Sequence, residues 1–214
     1  MKKMNIIFEN KEILVVDKNP HELTIATEKR EKNTLYEQAS AYVKKQFPKN
    51  KIFIVHRLDK DTSGLVIFAK NTDVKTRLQN NWDNVKREYI AIVEGKMPKK
   101  KDTLKSYLAE DKTYRVYSTK DKTKGKLAIT EYEVLKENNK YSLLKINIKT
   151  GRKNQIRVQL SDIGHPIVGD KKYHNNDFKR LALHANLIEF TDKGKEYHFE
   201  TKYPNEFNKL FKQD

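Results

Sequence analysis

The sequence predicts an α+β fold, one domain built on a long, mostly antiparallel mixed sheet with flanking helices. Three observations predict it. Short apolar runs rich in Ile, Val, Phe and Tyr recur between turn-forming residues, as strands do. Only a few segments carry apolar residues at helical spacing, and they are interspersed among those runs. The 17 Leu, 16 Ile, 12 Val and 9 Phe make about a quarter of the 214 residues, above the roughly 20% below which chains tend to stay disordered.

The elements follow in order. A short strand is expected around Ile13 to Val16, stopped by Asn19-Pro20. A helix follows from about Thr34 to Phe47, with Leu35, Ala39, Val43 and Phe47 on one face and Pro48 closing it. Ile52 to Val55 and Leu65 to Ala69 read as two strands around the polar loop His56-Arg57-Leu58-Asp59-Lys60-Asp61-Thr62-Ser63-Gly64. Val74, Leu78 and Trp82 mark a helix over Thr72 to Trp82, and Arg87 to Glu94 a strand with Tyr89 on the face of Ala91 and Val93. Tyr107, Tyr114, Val116 and Tyr117 suggest a hairpin within 96–126. Strands near Leu127 to Leu135 and Tyr141 to Ile148 precede the break at Thr150-Gly151-Arg152. Ile156, Leu160 and Ile163 define a helix ended by Gly164, Leu181 to Phe190 a buried strand, and Pro204 opens a terminal helix. Neither an internal repeat nor a linker marks a second domain.

Lys and Arg number 45 against 29 Asp and Glu, a net charge of +16, so the expected partner is a polyanion. The excess concentrates in 96–126, where eleven basic residues face four acidic ones, more than solubility requires. A chain with no cysteine forms no disulfide framework and no Cys-ligated zinc site, uses no thiol chemistry, and fits a reducing compartment. No apolar run nears the roughly 20 residues of a membrane span. Ile6-Ile7-Phe8 gives way at once to charges, which excludes a signal-peptide core. A soluble, cytoplasmic protein is expected, with no membrane partner.

The loop after Val55 concentrates the reactive groups. Asp59 and Asp61 could together hold a divalent cation, although Lys60 lies between them and no other acidic cluster offers further ligands, so no metal is expected. A carboxylate beside a guanidinium could instead stay ionised and act as nucleophile or electrostatic stabiliser. A tetrapeptide His56-Arg57-Leu58-Asp59 alone would be no more than an ion-paired turn. His165 and His184, in apolar surroundings, read as buried hydrogen-bonded histidines. Tyr114 and Tyr117 either stack on unpaired bases or pack across strands.

An ordered set of motifs decides among these. Ile13-Leu14-Val15-Val16-Asp17-Lys18-Asn19-Pro20 comes first, followed by His56-Arg57-Leu58-Asp59 with Thr62-Ser63-Gly64-Leu65, and Glu88-Tyr89-Ile90-Ala91-Ile92-Val93-Glu94-Gly95. Ala128 with Thr130 and Tyr132, Thr150-Gly151-Arg152 with Gln155-Ile156-Arg157, Gly164-His165-Pro166-Ile167-Val168-Gly169-Asp170 and Leu183-His184-Ala185 complete it. Together they resemble the RluA type of pseudouridine synthase, from about residue 6 to 204. The resemblance implies that family's fold with a central cleft holding Asp59, Tyr89 and Arg157. It implies isomerisation of uridine in ribosomal or transfer RNA, without a cofactor, and one catalytic domain over 1–214.

The implied roles are carried position by position. Asp59 matches the catalytic aspartate, Tyr89 the active-site tyrosine, Arg157 the basic residue paired with the aspartate, and Arg57 the arginine that helps extrude the target nucleotide. His56 and Arg152 are expected at the RNA, with Lys112, Arg115, Lys120, Lys122 and Lys124 of the basic hairpin, and a monomer is expected. The chemistry suits these residue types: breaking a glycosidic bond builds positive charge on the sugar, which an ionised carboxylate stabilises or traps. Two residues depart from the pattern, Asn154 and Gln159 standing where the family usually has histidines, so altered packing or hydrogen bonding is expected there with catalysis retained. The chain begins almost at the catalytic domain, so the resemblance also implies no separate N-terminal RNA-binding domain. The rival reading is a catalytically silent RNA-binding or ribosome-assembly protein. A metal-dependent RNA hydrolase using Asp59 and Asp61 stands behind it.

Overall fold

A computed structural model describes residues 4–27, 31–174 and 178–211. Two compact units emerge: the first takes the chain up to Val85 and again Leu187–Thr201, the second takes Lys86–Asn186 and the chain from Lys202 onward. Composition gives no sign of the three crossings, one of which falls at the start of a strand, one inside a strand and one just after a strand.

The first unit opens with an antiparallel pair, β1 (Asn5–Glu9) and β2 (Ile13–Lys18). Ile13 to Val16 are all buried, as an interior strand requires. Helix α1 (Leu35–Gln46) begins with a capping box: the Thr34 hydroxyl accepts from the Glu37 N–H and the Glu37 carboxylate from the Thr34 N–H, which satisfies two orphan donors reciprocally. Leu35, Ala39 and Val43 form its buried face. Phe47, expected on that face, is instead the extended C-cap and 54% exposed; the residue before Pro48 is barred from the helical region. Strand β3 (Phe53–Ile54) and β2 both pair with β4 (Ser63–Ala69), which is buried along its whole length. Helix α2 (Thr72–Asn80) is capped by the Asn71 side chain and buries Val74 and Leu78. It ends before Trp82, which starts a separate 3-10 turn.

The second unit carries β5 (Lys86–Glu94), β6 (Lys101–Glu110), β7 (Val116–Thr119), β8 (Lys126–Glu137) and β9 (Tyr141–Ile148). They lie in the order β5-β9-β8-β6-β7, every pair antiparallel. The expected basic hairpin is β6 with β7, and the connection holding Lys120, Lys122 and Lys124 carries the chain across to β8 on the other edge of β6. Helix α3 (Gln155–Asp162) sets Val158 in a buried cluster with Leu108, Val116 and Ala128. Ile163, expected on the helix's buried face, caps its end half-exposed, and Gly164 follows with φ +80°.

Strand β10 (Leu183–Asp192) starts in the second unit and finishes in the first, where it pairs with β11 (Lys195–Glu200) through a turn with positive φ at Lys193 and Gly194. The first unit's core then includes Ile188, Phe190, Tyr197 and Phe199 beside Ile13, Val15, Leu65 and Ile67. After Pro204 the short α4 (Asn205–Asn208) returns fully buried Phe207 to the second unit's core, with Ile92, Leu144, Ile146 and Leu160. Among the described residues no helix is long and apolar enough to cross a membrane.

Candidate active site

The residues singled out from the sequence divide between the units: His56, Arg57 and Asp59 lie in the first, while Tyr89, Arg152, Arg157 and the hairpin cations lie in the second. In the first unit the loop between β3 and β4 is fastened from below. Leu58 is buried, and Thr24, itself 1% exposed, donates its hydroxyl to the Leu58 carbonyl at 3.0 Å and accepts the Leu58 N–H at 3.2 Å. Lys18, equally buried, donates to the carbonyls of Asn19, Glu22 and Lys60 at 2.8–3.0 Å. These contacts fix the backbone on both sides of Asp59, whose carbonyl accepts the Thr62 N–H at 3.2 Å. Arg57 is exposed and Asp59 half-buried, so the buried Leu58 between them displays its two charged neighbours.

The flanking groups are occupied. His56 accepts the Ile67 N–H at its Nε2, 3.0 Å away, and stacks on Trp82 with ring centres 4.4 Å apart. Its ring is thereby tied to the strand and oriented. Asp61, considered as a metal partner for Asp59, pairs with His21 at 2.9 Å.

In the second unit Tyr89 lies on β5 opposite Ile146 of β9, half-buried against the core. The turn leading into α3 is shaped by Gln155. Its Oε1 accepts from the Thr150 hydroxyl at 2.7 Å and the Arg152 N–H at 3.0 Å, and its Nε2 donates to the Ile129 carbonyl and the Thr130 hydroxyl. Arg152 extends its Nε to the Leu127 carbonyl. In the helix's first turn Arg157 is buried and meets Asp170 bidentately, Nε to Oδ2 at 2.8 Å and Nη2 to Oδ1 at 2.7 Å. Such a planar fork fixes a guanidinium in orientation as well as place. Asp170, 1% exposed, also accepts the N–H groups of Lys172 and Tyr173. Gly169 before it is obligatory, since a Cβ there would fall 1.9 Å from the Arg180 carbonyl oxygen.

The Asp170 turn gathers cations around one phenol ring. Arg157, Arg115 and Lys172 lie 5.3, 5.4 and 5.6 Å from the centre of Tyr173, within cation–π range. Asn154, one of the two departures from the family pattern, sits in the left-handed region with φ 53°, and its Oδ1 accepts from Lys172 Nζ and the Tyr173 hydroxyl. Gln159, the other, donates to the Leu104 and Ala128 carbonyls and the Ser106 hydroxyl, stitching α3 to β6 and β8. His165 meets the Glu94 carbonyl at 2.9 Å. His184 is 2% exposed, and burial, reinforced by the Arg180 charge, lowers its pKa from 6.5 to about 4.

Asp170, Tyr173 and Gln155 were not expected as contributors. Asp170 and Tyr173 follow the helix by a loop, and only their convergence on Arg157 reveals them. The signal available was the run Gly169-Asp170, a glycine that admits a positive φ beside a buried acid.

Comparison with known proteins gives a consistent picture. A family model described as RNA pseudouridylate synthase matches residues 12–162. The uncharacterised RNA pseudouridine synthase YhcT of Bacillus subtilis is 34% identical over 195 residues, covering 87% of this chain and 64% of that protein. An uncharacterised RNA pseudouridine synthase of Helicobacter pylori is 40% identical over 159 residues, covering 72% and 63%. The ribosomal large subunit pseudouridine synthase C of Rickettsia prowazekii is 35% identical over 215 residues, covering 95% and 69%. This chain thus spans a little under two thirds of the length of the first two of these relatives. Among solved structures, human RNA pseudouridylate synthase domain containing 4 superposes with a TM-score of 0.82 at 20% identity, covering 95% of this chain and 90% of that one, a likeness of fold.

Proposed function

The chain belongs to the RNA pseudouridylate synthase family, and from that premise we propose that it converts uridine in structured RNA to pseudouridine with Asp59 as the catalytic carboxylate. The carrying observation is the fastening of the Asp59 loop: a buried leucine, threonine and lysine hold its backbone while Asp59 is displayed beside Arg57. In the reaction the N1–C1′ bond breaks and the sugar turns cationic. The Asp59 carboxylate stabilises or traps it, C5 of the turned uracil bonds to C1′, and the proton leaving C5 is balanced by one gained at N1. Neither electrons nor a nucleotide are consumed.

Tyr89 orients the base or takes the C5 proton. An ordinary phenol near pKa 10 needs help for the second task. The family resemblance gives Arg157, which Asp170 holds bidentately, the role of basic partner to the catalytic carboxylate, a charge that would favour the carboxylate's ionised form. Arg57 helps draw the nucleotide from its stack. The names of relatives such as the Rickettsia prowazekii enzyme favour ribosomal over transfer RNA, with the protein acting as a cytoplasmic monomer.

The test is to incubate the protein with unmodified ribosomal and transfer RNA transcripts and map pseudouridine. Wild type should modify discrete uridines, and Asp59→Asn should lose at least a thousandfold in rate with RNA affinity retained. Activity of Asp59→Asn within tenfold of wild type overturns the assignment of Asp59. RNA binding by wild type without any pseudouridine supports the silent RNA-binding protein instead.

A further inference from the structure

The tip of the β6–β7 hairpin combines features that solubility does not explain. Tyr114 is 67% exposed, the most among the large hydrophobic side chains of the described residues, and its backbone lies at φ 61°. A bulky residue rarely adopts that conformation, and it persists only where the surroundings enforce it. Here they do. The Asp111 carboxylate accepts the N–H groups of Thr113 and Arg115 and the Thr113 hydroxyl, and the Asp111 carbonyl accepts the Tyr114 N–H. The Tyr114 carbonyl in turn accepts from Lys153 Nζ at 3.3 Å and Lys172 Nζ at 3.2 Å. The ring therefore stands on a rigid turn, with the Lys153 ammonium 5.4 Å from its centre.

Beside it, on the same unit, runs a groove of about 370 Å³ whose lining includes Lys124, Lys126, Arg152 and Lys153. Its one lining carboxylate, Glu110, is engaged by Lys153. A fixed, exposed aromatic face next to a cationic trough is what a single RNA strand requires: bases stack on the ring and phosphates follow the positive charge.

We propose that the hairpin tip is a second RNA subsite, in which Tyr114 stacks on an unpaired base outside the reacting nucleotide and Lys124, Lys126 and Arg152 hold the adjoining phosphates. The subsite rests on the reading of the substrate as RNA, and it narrows that substrate to RNA with an unpaired nucleotide beyond the target uridine. A duplex end-to-end paired around its target offers no base to Tyr114.

The experiment measures binding of a fluorescent twelve-nucleotide oligouridylate, and of the same ribose-phosphate chain without bases, to the full chain from low to moderate salt. Wild type should bind the oligouridylate about tenfold more tightly than the abasic chain, the size of one stacked base. Tyr114→Gly suits the positive φ, so it removes the ring without straining the turn, and it should abolish that preference. Tyr114→Phe should keep it. Replacing Lys124, Lys126 and Arg152 by Gln should flatten the slope of log K against log salt by about two, at roughly 0.7 per phosphate on a single strand. Preference for bases that survives in Tyr114→Gly, or an unchanged slope in the triple variant, overturns the subsite. Pseudouridine formation by wild type is assayed separately, so a chain that binds as described but never isomerises uridine refutes the enzymatic reading and leaves the subsite standing.

Discussion

The Asp59 loop and the Tyr114 turn are both short polar connections between strands, yet they are held by opposite means. Buried groups hold the first: Thr24 and Leu58 exchange two hydrogen bonds, and Lys18 spends its ammonium on three carbonyls. Mostly exposed groups hold the second: Asp111 and Lys153 at the surface, with the half-buried Lys172. In a low dielectric such bonds are strong and costly to break, whereas exposed charged pairs contribute about 0–1 kcal/mol and weaken with salt. A reacting carboxylate needs a fixed frame, because small misplacements cost large factors in rate. A surface that stacks on one base needs only its turn held in shape, and the difference in construction matches the difference in proposed task.

The contrast is broken or sharpened first at its most buried point. Asp170→Asn removes the carboxylate from a pair whose side chains are 6% and 0% exposed, and should cost 3–5 kcal/mol of unfolding free energy. Chemical denaturation measures it, and a loss below about 1 kcal/mol would put the Arg157 clamp in the same class as the surface pairs. Next comes acid. The buried His184 has its pKa lowered from 6.5 to about 4, so the unfolded chain takes up that proton first as pH falls. Its contribution is intact above pH 6.5 and is lost progressively between 6.5 and 4, by up to about 3 kcal/mol at roughly 1.4 per pH unit. Stability curves over that window for wild type and His184→Gln should converge toward pH 4; parallel curves would mean that the imidazole is protonated in the folded state.

Thr24→Val keeps the shape and deletes the hydroxyl that serves both polar groups of Leu58, and should cost about 2 kcal/mol. Thermal melts read the loss, and a neutral result would mean that water replaces the hydroxyl and that the loop is less firmly framed than its burial suggests. The smallest effect belongs to the surface: Lys120→Gln with Lys122→Gln should change stability by less than about 0.5 kcal/mol. A larger loss would show that the basic connection, in which Lys122 lies 5.8 Å from the Tyr107 ring centre, braces the hairpin.

Much of this was legible in the sequence where the cause is local. The start of α1 at Thr34, the β9 strand at Tyr141–Ile148 and the glycine after α3 all follow from neighbouring residues. Strand β11 was not expected, although Tyr197 and Phe199 alternate with polar residues and a Lys-Gly turn precedes them. Strand β1 escaped because Ile6-Ile7-Phe8 is short and its register shifts there. Of the site, the motif residues themselves could be read, but what steadies them could not. Thr24 reaches Leu58 across 34 residues, and Asp170 reaches Arg157 across 13, from a separate segment. No periodicity encodes such a meeting, and the partition into two units leaves no mark because its crossings fall at the start of one strand, inside another and just after a third.

Strand β10 carries a further consequence, in the time order of synthesis. The first unit stops at Val85 and regains its last strands only with Leu187–Thr201, so about a hundred residues must leave the ribosome before its core can close. Until then the aromatic seats of Phe190, Tyr197 and Phe199 beside Ile67 and Leu65 stand open, and the nascent segment exposes apolar surface and unpaired strand edge. Contacts between residues so distant in sequence also form slowly after release. A chain truncated after Asn186 should leave the ribosome with a first unit kept as a client of chaperones and a second unit that lacks only its terminal segment around Phe207.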